Sequence, residues 1–214
     1  MTGDKATALA ALCAQQGRAL VLFDYAGHGQ SDGCFENGTI SAWKSDALAV
    51  IDGLTQGPLV LVGSSMGGWL GVLAAMARPE RIAGFIGIAA APDFTEAMMW
   101  EAMTFEERAI LMERGVLNQP SDYGASYPIT RALIEDGRTQ LVLGGPIPIT
   151  APVRLLHGQA DRDVPWEFSL RLAAQISSQD VQVVLVKDGE HRMSRPRDLD
   201  LLRATVLGLL DDRA

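Results

Sequence analysis

Short apolar runs of strand character alternate with stretches of helical spacing along almost the whole chain, and this alternation constrains the fold more than any other feature. Strands separated by helix-length segments pair in parallel through helical crossovers, because a tight hairpin joins only antiparallel neighbours. The pattern predicts an α/β protein with a mostly parallel sheet flanked by helices. Strands are expected at "ALVLFDY" (19–25), "PLVLVG" (58–63), "IAGFIGIAA" (82–90), "VRLLHG" (153–158) and "VQVVLV" (181–186). Helices are expected over 3–16, 39–54, 66–77, 166–176 and 197–213, each with apolar residues on one face, such as Leu9, Leu12 and Cys13 in the first. The chain has 214 residues, of which 48% are apolar, which suits one domain with a real core.

Residues 93–150 break the rhythm. They carry Met98, Met99, Trp100, Met103, Phe105, Met112, Tyr123 and Tyr127 among charges, with helical spacing in places, and end in the loop "GGPIPITAP". The segment reads as an insertion between two parts of an α/β core, 1–92 and 151–214. Methionine fills irregular gaps and adapts to varied apolar ligands. The composition therefore fits both a lid over a site and a packed helical excursion.

Eighteen basic residues stand against 26 acidic ones, a net charge of −8, with no basic block. Phosphate binding needs clustered Lys and Arg, so the charge balance argues against nucleic acid and anionic membrane as partners. The two cysteines, Cys13 and Cys34, form neither a disulfide framework nor a metal-ligand spacing. No apolar run reaches the roughly 20 residues of a membrane span. The first residues read as an amphipathic helix rather than a signal peptide. Together these features give the expectation of a cytoplasmic chain.

The strand "PLVLVG" runs through "GSSMGG" into a helix, the setting in which Gly-x-Ser-x-Gly carries meaning. The turn is sharp, so the residues two before and two after its apex must be small. Centring it on Ser65 places Gly63 and Gly67 there, whereas centring it on Ser64 places Val62 and Met66. Ser65 is therefore the candidate nucleophile. The Met66 N–H, at a helix N-terminus, becomes a candidate oxyanion donor. A serine hydroxyl needs a base, and the chain holds three histidines, His28, His157 and His191. His191 follows the strand 181–186, at the end of a parallel strand where such sites assemble. His28 suits a structural turn, and His157 is expected to hold the loop after its strand. Between serine and histidine, "HGQADRDVPW" offers Asp161 and Asp163. Asp161 comes first after the strand, while Asp163 is placed to cap the next helix. The order Ser65, Asp161, His191, each just past a strand, is that of a nucleophile, an orienting acid and a general base.

"FDYAGHGQSDG", "LVGSSMGGWL", "ARPERI", "PVRLLHGQADRDVPW" and "EHRMS" resemble the α/β-hydrolase superfamily, in the branch containing a mitochondrial palmitoyl-protein thioesterase also described as an acyl-glucuronide esterase. The resemblance spans nearly the whole chain. It implies the same triad, a helical cap formed by 93–150 over an acyl pocket, and hydrolysis of esters or thioesters through an acyl-enzyme. Neither metal nor cofactor is required, and the implied substrates are small acyl esters or acylated proteins. A general carboxylesterase and a non-catalytic relative that binds an acyl ligand or a protein partner are the alternative readings. In this family a strand and a Gly-containing loop precede the first helix and supply the second oxyanion donor. "MTGDKATAL" resembles only the end of that loop, which places the second donor near Thr2. The expectation follows that the preceding N-terminal strands are missing and that translation begins upstream of Met1.

Overall fold

The computed structural model describes residues 3–121 and 124–211. In chain order the elements are α1 (Asp4–Gln15), α2 (Ile40–Leu54), β1 (Leu59–Ser64), α3 (Met66–Ala77), β2 (Ile82–Ile88), α4 (Phe105–Arg114), β3 (Val116–Ser121), β4 (Gly124–Thr130), α5 (Arg131–Arg138), β5 (Val153–Gly158), α6 (Glu167–Gln175), β6 (Val181–Val186) and α7 (Pro196–Asp211). A π-helical turn spans Thr95–Trp100. The elements fall into two compact units. One comprises Met1–Phe23, Ala47–Pro92 and Val142–Ala214, and the other Asp24–Asp46 with Asp93–Leu141.

The first unit is built on a parallel four-stranded sheet of order β1-β2-β5-β6. Strand β2 is buried along its whole length, as expected of a central parallel strand covered on both faces. Its alternate residues divide between two helical layers. Ile86 and Ile88 pack with Leu9 and Leu12 of α1 and with Leu202, Val206 and Leu209 of α7. Phe85 points the other way, toward Gly71 of α3, where an added Cβ would lie 2.7 Å from its ring. The apolar face expected for α1 is thus the face it buries.

The run 19–25 departs from expectation, for it forms no strand. Leu20, Val21 and Leu22 are each more than a third exposed. Strand character is realised only when a partner takes up the backbone N–H and C=O groups, and among the described residues no strand pairs with this run. Strand β2 also ends at Ile88 rather than at residue 90.

The second unit has its own small core of Met103, Leu111, Ile129 and Ile134, against which Met99, Trp100 and Leu117 pack. Helices were expected over this insertion, but it also contains the antiparallel hairpin β3–β4. The reason lies at Gly115, whose left-handed conformation stops α4 and turns the chain into β3. Two guanidiniums lie over Trp100, Arg108 at 5.1 Å and Arg138 at 4.4 Å. Arg138 also pairs with Glu96 at 2.7 Å. Trp43 Nε1 donates to the Ala26 carbonyl at 3.0 Å, and Asp46 accepts from Ala26 N–H at 2.9 Å, fixing the loop that carries His28. Helix α4 opens with a capping box, in which Thr104 Oγ1 accepts from Glu107 N–H and Glu107 accepts from Thr104 N–H. Thr104→Ala should therefore lower stability by about 1 kcal/mol, read as a shift in the denaturant midpoint without a change in slope.

Candidate active site

Strand β1 delivers Ser65 into the turn before α3 with φ +53° and ψ −122°. Such a backbone is strained for any residue with a Cβ and persists only where its surroundings enforce it. Here Ser65 N–H donates to the Ile88 carbonyl at 2.9 Å, while its own carbonyl accepts from Gly68 N–H at 2.9 Å and Ala91 N–H at 3.1 Å. The crowding predicted for both flanking glycines falls on one of them. A Cβ on Gly63 would lie 2.1 Å from the Gly67 carbonyl oxygen, whereas a Cβ on Gly67 meets nothing within 4 Å. Gly68 also needs to be small, because its Cβ would lie 2.5 Å from that of Ala90. Gly63→Ala should cost about 1–3 kcal/mol through forced displacement. Gly67→Ala, in the first turn of a helix, should be neutral or stabilising by up to about 1 kcal/mol. Thermal melts of the two variants check the contrast.

The three residues singled out by order along the chain come together in space. His191 Nε2 lies 3.1 Å from Ser65 Oγ, and His191 Nδ1 lies 2.8 Å from Asp161 Oδ2. These contacts span 126 and 30 residues of sequence. The Asp161 side chain is fully buried, while that of His191 is about one-fifth exposed, which leaves the imidazole accessible. The loop after β5 is wrapped around the carboxylate, with Oδ1 accepting from the N–H groups of Asp163 and Val164, each at 2.9 Å. Burial disfavours ionisation of Asp161, but hydrogen bonds from His157, His191 and Val164 outweigh it and hold the carboxyl well below the usual carboxylate range. Asp161 is therefore charged at neutral pH and can keep an imidazole N–H pointed at itself.

The loop after β6 is anchored as well. Lys5 of α1 donates its ammonium to the Arg192 carbonyl, next to His191. A Cβ on Gly158 would come 2.1 Å from the Gly189 carbonyl, so β5 and this loop run in direct backbone contact. Met66 is the first residue of α3, and its N–H has no acceptor within the helix. Thr2, the expected second oxyanion donor, lies outside the described residues.

The remaining histidines and carboxylates stand outside the Ser65–His191–Asp161 line. Asp163 is exposed. Asp188, three residues before His191 in the sequence, pairs instead with Arg195 and Arg197. His28 Nδ1–H donates to the Ala26 carbonyl, and the ring packs against Phe35 and Trp43. His157 is fully buried, with Nε2 at 3.0 Å from the Val164 carbonyl, so it does hold the loop as expected. Its second contact, to Asp161, was not expected, although the four-residue spacing in "HGQAD" was available as a signal. Asp161, Asp163 and His191 bring ligand-type atoms within 4.8 Å of one another. Both Asp161 oxygens and both His191 nitrogens already have protein partners. This set therefore has little to offer a cation.

A parallel α/β sheet with a strained serine turn, and an acid and a histidine past two later strands, defines a hydrolase class, and residues 3–200 match the alpha/beta hydrolase family. The chain belongs to that family, and it has the α/β-hydrolase fold. It is 41% identical over 213 residues to the mouse mitochondrial palmitoyl-protein thioesterase ABHD10, covering 99% of this chain and 71% of the relative. Against the human protein of the same name identity is 40%, covering 99% of this chain and 69% of that one. The solved structure of mouse alpha/beta hydrolase domain-containing protein 10 superposes with a TM-score of 0.93 at 41% identity, covering 100% of this chain and 86% of the other. These relatives overturn the expectation of a cytoplasmic chain, because they are mitochondrial proteins by name. Free cysteines argue only against an oxidising compartment, so they could not separate the two.

Proposed function

We propose that this hydrolase acts through a serine nucleophile, cleaving carboxylic esters or thioesters by way of an acyl-enzyme. The observation that carries the reading is the continuous hydrogen-bonded line from Ser65 Oγ through His191 to Asp161, at 3.1 and 2.8 Å. His191 Nε2 takes the Ser65 proton as Oγ attacks the acyl carbonyl, while Asp161 holds the Nδ1–H tautomer and stabilises the imidazolium. The Met66 N–H stabilises the tetrahedral oxyanion. His191 returns the proton to the departing alcohol or thiol, then activates water to release the acid. The family match and the thioesterase relatives support acyl thioesters on proteins as the substrate class.

Labelling with a fluorescent phosphonate that reacts with activated serines tests the nucleophile, since wild type should label and Ser65→Ala should not. Parallel turnover of a long-chain acyl thioester peptide and its oxyester counterpart tests the substrate class. Faster oxyester turnover would make the chain a carboxylesterase, and an unlabelled wild type would remove the nucleophile assignment.

A further inference from the structure

Asp161 Oδ2 is shared. Besides His191 Nδ1 at 2.8 Å, it faces His157 Nε2 at 3.1 Å. We propose that His157, held by Ser169, is a positioning residue that fixes the Asp161 carboxylate and tempers its hold on His191. This inference rests on the serine-hydrolase reading of the site.

The geometry defines the tautomer. Nε2 of His157 faces two acceptors, Asp161 Oδ2 and the Val164 carbonyl, so it carries the proton. Nδ1 lies 2.7 Å from Ser169 Oγ and accepts the serine hydroxyl proton. Both His157 and Ser169 are buried, so neither has solvent as a substitute partner. The ring sits near the end of β5, with its neighbour Ser169 on α6, which makes the second imidazole part of the scaffold rather than of the open site.

Two effects on the chemistry follow. The Oδ1 oxygen is pinned by two backbone N–H groups and Oδ2 by His157, so the carboxylate cannot rotate away when His191 moves to its acid–base partners. The His157 N–H also draws on the charge of the oxygen that faces His191, so removing it would strengthen the pull of the carboxylate on that imidazole. Among the described residues, the charged groups near His191 include Glu190 and Arg192 on its own loop, Lys5 on α1 and Asp163 beside Asp161, while the Ser65 hydroxyl faces Nε2. None of these changes when His157 is replaced.

The test uses the whole chain, with every rate normalised to the serine sites titrated by the phosphonate. His157→Leu should lower kcat by roughly 10–100-fold, the scale known for groups that support a ligand or catalytic residue from behind. Its acid limb in kcat/KM should move to higher pH by about one unit, the scale of one hydrogen bond to a charged group. His157→Gln, which keeps an N–H near the position of Nε2, should restore the limb and most of the turnover. Wild-type kcat and an unmoved limb in His157→Leu would overturn the proposal and leave a purely structural histidine. Should His157→Leu not fold, long-range ¹H–¹⁵N spectra of the wild type decide, with an Nε2–H tautomer expected for the buried ring and an Nδ1–H tautomer contradicting it. An unlabelled wild type would instead bring down the serine-hydrolase reading itself, so the two failures are separable.

Discussion

Ser65→Ala is expected to reduce hydrolysis of a medium-chain nitrophenyl ester to background, a loss on the order of 10⁶-fold in kcat where comparable serine enzymes have been dissected. The fold should not notice. The hydrogen bonds that hold the elbow are made by the backbone of residue 65, with the Ile88 carbonyl and with Gly68 and Ala91 N–H, and alanine preserves all of them. Melting temperature should stay within a degree or so of wild type while phosphonate labelling vanishes. Ser65→Gly sharpens the point, because glycine accepts φ +53° without the steric penalty. That variant should be as inactive as alanine yet more stable by about 1 kcal/mol, since the strain at the elbow serves the reaction and not the fold. Undiminished activity in either variant refutes Ser65 as nucleophile.

Asp161→Asn should cost about 10⁴-fold in kcat, the scale seen when a triad carboxylate becomes an amide, and unlike Ser65→Ala it should also destabilise. The reason is the donor count around the carboxylate. Oδ1 accepts from two backbone N–H groups and Oδ2 from two imidazoles. Whichever way an asparagine amide is turned, its NH₂ meets a pair of donors. One pair then loses its acceptor in a buried place, at about 1–3 kcal/mol. Turning the NH₂ toward the histidines also forces His191 into the tautomer that cannot take the Ser65 proton. The two variants therefore differ in kind, one losing rate alone and the other losing rate and stability together. Urea titrations beside the activity assay show it, and a fully stable Asp161→Asn protein would contradict the fourfold acceptor role.

The elbow, the later acid and the last histidine were legible because each of their signals is local. Gly63 and Gly68 record backbone crowding one residue at a time, and the strands before Asp161 and His191 announce themselves by composition. Strands β1, β2, β5 and β6 were legible for the same reason. The run 19–25 was misread because strand composition states a preference, while a strand is a pairing, and the pairing is not written in the run itself. The β3–β4 hairpin was missed because Met-rich helical spacing dominates its neighbourhood, and one glycine, Gly115, reverses the local outcome. His157 was read as a loop holder, which it is. Its link to Asp161 was hinted at by the four-residue spacing, but the contact itself depends on the curvature of the loop between residues 157 and 161.

The parallel register carries a consequence of its own. Ser64 lies opposite Ile88, Ile88 opposite Leu156, and Gly158 opposite Val186, so the side chains of Ser65, Asp161 and His191 leave the sheet just past strand ends whose mutual offsets are fixed by pairing. A slip of one residue in any pairing displaces a strand end by about 3.3 Å and turns its side chains to the opposite face. That exceeds what a hydrogen bond of 2.8 or 3.1 Å can absorb. Serine labelling by a phosphonate thus works as a vernier for the sheet. During refolding it should appear only when β1, β2, β5 and β6 have all found their final alignment, later than any signal from helix content.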